Sequence, residues 1–136
     1  MQTFSSPEQL VETALNMNPS PYNYWYMASV YTSHPGGRET AFNESAKIAA
    51  WLMSKGLNIV APIPHSHPIS EHMAAEFDTH ALWMKQDKPM VFKSFGLIVC
   101  KMPGWGDSRG VTMERGWAYE MNKPVLGLDL DTILKG

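Results

Sequence analysis

The chain of 136 residues contains a single cysteine, so it cannot form an internal disulfide. That composition is typical of a reducing compartment, and we expect a cytoplasmic protein. Cys100 itself lies in an apolar run, where we expect it to be buried and unreactive. No uninterrupted apolar stretch is long enough for a transmembrane helix, so we expect no membrane partner. Residues 1–18 also lack the basic-then-apolar pattern of a secretory signal.

Positive charge is scarce as well. The 11 lysines and arginines are outnumbered by 13 acidic residues, which gives a formal net charge of −2. A nucleic acid polymer binds best to a basic surface field, so we do not expect one as a partner. A small anionic ligand needs only a local cation and stays compatible with this balance.

Short apolar runs alternate with segments of helical periodicity along the chain. The predicted strands span 24–30, 57–61, 95–102 and 124–128, and the predicted helices span 6–16, 38–55, 69–86, 87–93 and 111–122, with a final helical turn at 129–134. This order predicts an α/β fold, a three-layer doubly wound parallel sheet of the flavodoxin-like or Rossmann-like kind. We expect one domain over 1–136, with a core at 24–128 and an N-terminal helical extension at 6–17.

In such sheets the ligand lies beyond the carboxyl ends of the strands, so we expect the binding residues in the loops that follow strands. The loop after the first predicted strand begins at Ser29 and ends in Gly36, Gly37 and Arg38, where a helix opens. Free N–H groups at a helix start favour an anion, and an arginine adds a bidentate contact to phosphate. A plain turn with a solvated Arg38 is an equally good interpretation of this loop alone.

The loop predicted at 62–68 contains three prolines together with His65 and His67. Two histidines so spaced could bind zinc, but no cysteine or third histidine follows at a matching spacing. Polar residues that line a pocket, or surface histidines, explain them better than a metal site.

The loop after the third predicted strand leads into the helix at 111–122 and contains Asp107, Ser108 and Gly110. Small residues at a helix start again suit a phosphate or a sugar. Glu114 is expected in the first turn of that helix, where the helix dipole favours the ionised form that a nucleophile needs. An ordinary first-turn acid and a turn aspartate are the structural alternatives. Asp87 has the comparable alternative of a helix N-cap.

Taken together, these segments resemble the nucleoside 2-deoxyribosyltransferase superfamily over residues 24–128. The resemblance rests on Gly110-Val-Thr-Met-Glu114-Arg-Gly116-Trp-Ala118, on Tyr26-Met-Ala28-Ser-Val-Tyr31 and on the position of Asp87. Gly36-Gly37-Arg38 and Ser108-Arg-Gly110 are similar to the 2′-deoxynucleoside 5′-monophosphate N-glycosidases of that superfamily. Residues 62–68 and 103–105 look like an uncharacterised, partly phage-borne branch.

The resemblance implies that the protein cleaves the N-glycosidic bond of a (deoxy)nucleoside 5′-monophosphate or transfers a base between deoxynucleosides. It implies Glu114 as nucleophile, Asp87 as proton donor to the leaving base and Tyr26 as the residue that orients Glu114. The expected substrate-binding residues are Ser29, Gly36, Gly37, Arg38, His65, His67, Asp107, Ser108 and Gly110. The expected partner is a small nucleoside or nucleotide, neither a metal nor an organic cofactor is needed, and relatives imply a homo-oligomer.

Three alternatives remain open on the sequence. The same fold could serve as a non-catalytic nucleotide-binding or sensing module, since fold does not determine function. A metal-dependent hydrolase built on His65, His67 and a carboxylate is the second alternative, and an inactive relative is the third.

Overall fold

The computed structural model describes residues 1–130 and residue 134. In this part of the chain five strands and five α-helices follow one another in the order β1 Gln2–Phe4, α1 Pro7–Met17, β2 Trp25–Ala28, α2 Arg38–Ser54, β3 Ile59–Val60, α3 Pro62–Ser70, α4 His80–Lys93, β4 Gly96–Cys100, α5 Arg109–Glu120 and β5 Val125–Leu128. The strands form one sheet in the order β1-β5-β4-β2-β3, and every neighbouring pair is parallel. The expected single-domain, three-layer α/β fold is confirmed.

The two faces of the sheet are covered by different helices, because successive side chains of a strand point to opposite faces. Trp25 and Met27 of β2 pack with buried residues of α1 and α2. Tyr26 and Ala28 of the same strand pack with buried residues of α4 and α5. Tyr26 therefore points into the layer that also contains Asp87 and Glu114.

The strand order reverses beside β2. The chain runs from β2 outward to β3 and then returns across β2 to β4 on its other side. The loops that leave β2 and β4 therefore diverge to opposite sides, which opens a crevice at the carboxyl ends of these strands. A hydrogen bond connects the loop after β2 to the loop after β4, since the Oγ of Ser33 donates to the carbonyl of Gly104 at 3.1 Å.

Several predicted helix ends are confirmed. Ser6 caps α1, because its Oγ accepts from the N–H of Gln9 at 3.3 Å, and Pro7 is the first helical residue. Helix α2 begins at Arg38 as expected, and Gly56 follows its end with a φ of 100° that favours glycine. Of the final turn predicted at 129–134, residues 131–133 lie outside the described residues.

The segment between β3 and β4 differs from the prediction. Residues 62–68 were expected to form a loop, but they belong to helix α3. Pro62 and Pro64 both fall in its first turn, where N–H groups have no acceptor within the helix, so the prolines are tolerated there. The helix predicted at 69–86 is confirmed only at its two ends, since residues 69–70 end α3 and residues 80–86 begin α4, whereas residues 71–79 form turns and bends and Thr79 caps α4.

Asp87 and residues 87–93 belong to α4, and they do not form a separate helical piece. The helix runs through Pro89 without a break, and burial of the apolar Val91 on its inner face helps to offset the hydrogen bond that Pro89 lacks. The interpretation of Asp87 as a helix N-cap is therefore wrong.

Two further features complete the fold. Strand β1 was not anticipated from the sequence, and it pairs with β5 at the edge of the sheet. Cys100 is fully buried in β4 as expected, and burial raises the pKa of its thiol to about 12. Within the described residues, no helix combines the length and apolar content required to cross a bilayer.

Candidate active site

A pocket of about 240 Å³ opens at the carboxyl ends of β2 and β4, where the strand order reverses. Its wall comes from the loop after β2 and the starts of α2, α3, α4 and α5. Six residues that the sequence analysis assigned to the site line it: Ser29, Arg38, Asp87, Ser108, Gly110 and Glu114. The chain segments that contain these six residues thus meet at one pocket, although Ser29 and Glu114 are 85 positions apart in the sequence.

Glu114 is held on the inner face of α5. Val111, Glu114 and Ala118 are the buried residues of this helix, at a spacing that places them on one side. The Glu114 side chain is therefore directed at the sheet, where it is 3% exposed. The helix begins at Arg109, earlier than predicted, so Glu114 lies in the second turn and the expected first-turn position is wrong.

Tyr26 connects Glu114 to the sheet. It is fully buried in β2, and its hydroxyl donates a hydrogen bond to Oε2 of Glu114. The pKa of Tyr26 is raised well above its usual value, first by burial and then by its interactions with Glu114 and Asp87. Tyr26 thus remains protonated and acts as a donor between two carboxyl groups.

Asp87 is the second buried carboxyl group of the pocket. It shares the inner face of α4 with Val91 and is 5% exposed. Its Oδ1 has no hydrogen-bond partner among the described residues. Since buried polar groups are nearly always paired, an unpaired carboxylate oxygen in a pocket wall indicates a group that interacts with a ligand.

Burial raises the pKa of both carboxyl groups. The pKa of Asp87 rises to about 6, with a hydrogen bond from Tyr26 opposing the shift. The pKa of Glu114 rises to about 8, because burial and the charge of Asp87 outweigh the hydrogen bond from Tyr26. The expectation that the helix dipole keeps Glu114 ionised is therefore wrong for the free protein, since desolvation dominates. Near neutral pH the pair holds one proton between two carboxyl groups.

The opposite wall of the pocket is polar. Ser29 is 6% exposed, and its Oγ has no partner among the described residues. Arg38 lies across the ring of Tyr31, with 5.1 Å between the guanidinium carbon and the ring centroid. Its Nη1 is 3.5 Å from Oδ2 of Asp78. Arg38 thus provides a cation at the start of α2, but with a carboxylate beside it.

The start of α5 faces the same space. Ser108 is its N-cap, and the Oγ of Ser108 accepts from the N–H of Val111 at 3.2 Å. Gly110 lies in the first turn and lines the pocket. The hydroxyl of Ser108 therefore stabilises the helix, while the neighbouring N–H groups of the first turn provide positive potential toward the pocket.

Other expected binding residues lie outside the pocket lining. Gly36 and Gly37 shape the turn before α2, and Gly37 has a φ of 89° that favours glycine. His65 and Asp107 are exposed on the surface. His67 is buried and does not line the pocket, and its ring contacts Tyr31, Phe42 and two glutamates. The structure does not bring these five residues to the carboxylate pair.

Ten lining residues are not among the predicted site residues. They are Tyr31, Thr32, Pro62, Ile63, Asp78, Thr79, His80, Trp83, Met84 and Arg109. Half of them come from 78–84, which was interpreted as the middle of a helix. The signal that could have identified them is Thr79, a good N-cap residue ahead of the apolar positions of α4.

Residues 23–129 match the family described as Domain of unknown function (DUF1937). No curated protein matches the chain. The matched region contains β2 to β5 and every residue that lines the pocket. Because the match covers most of the sequence, the chain belongs to the DUF1937 family.

Proposed function

We propose that this protein cleaves the N-glycosidic bond of a deoxynucleoside or its 5′-monophosphate, with release of the base to water or its exchange for another base. The observation that supports this most is the pair of buried carboxyl groups, Glu114 and Asp87, in one pocket with Tyr26 between them. Burying two acids in a small domain opposes folding, and such groups concentrate at functional sites.

The pair suits a reaction that develops positive charge at a sugar carbon. Glu114 attacks C1′ as the bond to the base breaks, and the electron pair of that bond leaves with the base nitrogen. Asp87 gives its proton to the departing base. Attack of water on the glycosyl ester, with Asp87 as base, then restores both carboxyl groups; attack by a second base gives transfer.

This division of roles requires the shared proton to be on Asp87 when substrate is bound. In the free protein the higher pKa belongs to Glu114. The growing positive charge at C1′ lies nearest to Glu114 and lowers its pKa, which moves the proton toward Asp87. Tyr26 lowers the pKa of both carboxyl groups, and while its hydroxyl donates to Glu114 it stabilises the Glu114 carboxylate.

The polar wall suits the remainder of a nucleoside or nucleotide. Ser29 offers an unpaired buried hydroxyl, and Arg38 with the first turn of α5 provides positive potential for a 5′-phosphate. Trp83 adds an aromatic surface to the same pocket for the base. No step in this scheme uses a metal or an organic cofactor.

The test is incubation with deoxynucleosides and their 5′-monophosphates, followed by chromatography for free base. Wild-type protein should release base, and Glu114→Ala should reduce turnover by several orders of magnitude because it removes the nucleophile. Glu120→Ala, an exposed change on the same helix, is the matched control and should leave turnover unchanged.

Full turnover by Glu114→Ala would overturn the assignment of the nucleophile. Saturable nucleotide binding without base release from any substrate would support a sensing module instead.

The expectation of a homo-oligomer also stays a prediction. Light scattering of the purified protein would measure the mass in solution and so test it.

A further inference from the structure

Beside the pocket, three side chains converge outside the proposed reaction centre. His67 of α3 is buried, and its Nε2 lies 3.0 Å from Oε2 of Glu39 and 3.3 Å from Oε1 of Glu71. Glu39 belongs to α2 and Glu71 directly follows α3. One nitrogen and two carboxylate oxygens, all within 4.8 Å of one another, therefore meet at a junction of two helices.

The His67 ring is held in place by groups that are not part of this convergence. The hydroxyl of Tyr31 is 2.6 Å from Nδ1, so Nε2 is the ring nitrogen that faces the carboxylates. Phe42 stacks on the ring with 4.3 Å between centroids and 21° between planes. A hydrogen bond to the second nitrogen of an imidazole is the usual support of a metal-binding histidine, because it sets the tautomer and the ring orientation.

Without a bound cation, placing the two glutamates beside one imidazole stabilises the protein little. Both are largely exposed, with 72% and 61% of the Glu39 and Glu71 side chains accessible, so water could solvate each one separately. Their negative charges repel when they share one nitrogen, which has at most one proton to offer. A divalent cation between the three atoms would attract both carboxylates and the nitrogen at once.

The distances suit such an ion. Zinc lies about 2.0–2.2 Å from nitrogen and oxygen ligands, so the edges of its tetrahedron are roughly 3.3–3.6 Å. The contacts of 3.0 and 3.3 Å from Nε2 are close to those edges. An imidazole with two carboxylates is a donor set that zinc and similar divalent transition metals accept.

We propose that Glu39, His67 and Glu71 form a binding site for a divalent transition metal ion such as Zn²⁺. The three ligands leave the fourth position open to solvent. The ion would tie α2 to the end of α3 and, through His67, would steady Tyr31 in the pocket wall. None of the three ligands lines the pocket, so the ion is structural and the proposal does not depend on the function proposed above. His65 is exposed and is not a ligand, unlike in the hydrolase alternative.

Calorimetric titration of chelator-treated protein with zinc chloride tests the site, with thermal melts in parallel. Wild-type protein should bind a single zinc ion per chain with saturation, and its melting temperature should rise as zinc is added. Glu39→Gln and Glu71→Gln should each weaken binding by at least about tenfold. Both positions are exposed, so neither change should alter the circular dichroism spectrum.

His65→Ala and His72→Ala are the matched controls, because both histidines are exposed neighbours outside the ligand set. Each should bind zinc as the wild type does. The proposal is overturned if the wild type shows no saturable zinc binding, or if the two glutamine variants bind zinc as tightly as the wild type. Loss of binding in either histidine control would show that the ion is held by a histidine outside this ligand set, and equal affinity for magnesium would argue against an imidazole ligand. Either result would also overturn the proposal.

Discussion

At the scale of single residues, the site is built by placing acids where a helix would normally bury an apolar side chain. Glu114 shares a face with Val111 and Ala118, and Asp87 shares one with Val91. Packing of these helices on the sheet then removes both carboxyl groups from water and raises their pKa values. The same burial that prepares the pair for proton transfer therefore opposes folding at neutral pH.

Glu114→Gln should stabilise the protein at alkaline pH. The pKa of Glu114 is raised from 4.5 to about 8, so the folded protein keeps a proton that the unfolded chain loses across this range. Stability is therefore fully present below pH 4.5 and falls as the pH rises to about 8, by on the order of 1 kcal/mol per pH unit. Glutamine cannot ionise and still accepts from Tyr26, so urea denaturation at about pH 8 should show a gain of a few kcal/mol.

The gain should shrink toward about pH 4, where Glu114 is mostly protonated in both states. Glu120→Gln, at an exposed position of α5, should change stability by the same small amount at both pH values. A Glu114→Gln protein that is less stable than wild type at the alkaline pH would show that Glu114 is not buried as described.

The proposed reaction should have a bell-shaped dependence on pH. It needs one ionised and one protonated carboxyl group, and the pKa values of Asp87 and Glu114 are about 6 and about 8. The rate, measured as kcat/KM for base release, should therefore be highest between these values and fall on both sides. Tyr26→Phe should move the alkaline limb upward, because the Tyr26 hydrogen bond lowers the pKa of Glu114. A profile without an alkaline limb would contradict the shared proton.

At the scale of elements, the pocket depends on where four helices begin. Arg38, Pro62, His80 and Arg109 are the first residues of α2, α3, α4 and α5, and all four line the pocket. In a parallel sheet each strand leads into a helix at the same edge, so helix starts collect around the ligand site. Thr79 and Ser108, which cap α4 and α5 with their side chains, also line the pocket, so each of these two residues contributes to both helix stability and the pocket wall.

Ser108→Ala should lower the free energy of unfolding by about 1 kcal/mol, because it removes the N-cap of α5. Ser6→Ala is the matched control. Ser6 caps α1 in the same way, and it follows the edge strand β1, which is separated from β4 by β5. Calorimetry with a deoxynucleoside 5′-monophosphate should then show weaker binding for Ser108→Ala alone, while binding of the free nucleoside is unchanged in both. An equal loss of affinity for the monophosphate and for the free nucleoside would contradict a role of Ser108 in phosphate binding.

At the scale of the whole molecule, the N-terminal segment is part of the main core although the family match begins at residue 23. Strand β1 adds to the sheet through β5, and Phe4, Leu10 and Ala14 are buried in the cluster that also contains Trp25. The segment therefore covers one face of the sheet and is expected to unfold together with it.

Leu10→Ala should cost about 2–5 kcal/mol, as expected for a large-to-small change in a packed core, because Leu10 is fully buried. Leu15→Ala, at a position of the same helix that is 40% exposed, should cost well under half of that. Urea denaturation followed by both fluorescence and circular dichroism should give one coincident transition for each protein. Two separate transitions would show that α1 folds independently of the core.

The accuracy of prediction differed between elements for physical reasons. Strand β4 and helix α2 were recognisable because their apolar patterns are local and their ends carry strong signals such as Gly56. Helix α3 was missed because its three prolines resemble a loop, although Pro62 and Pro64 are tolerated in its first turn and Pro68 lies inside the helix. Strand β1 was missed because three residues without a clear apolar pattern form a strand only where β5 offers a partner.

For the candidate site as well, some features follow from the sequence and others only from the tertiary structure. The sequence alone determined which helix carries Glu114 and which strand carries Tyr26, because helical and strand periodicities are local. The tertiary structure decided the protonation of the carboxyl pair, since burial and the distance between Glu114 and Asp87 arise only when α4 and α5 pack on the sheet. It also decided that His67 meets Glu39 and Glu71, outside the pocket lining, because electrostatic interactions depend on separation in space and not along the chain.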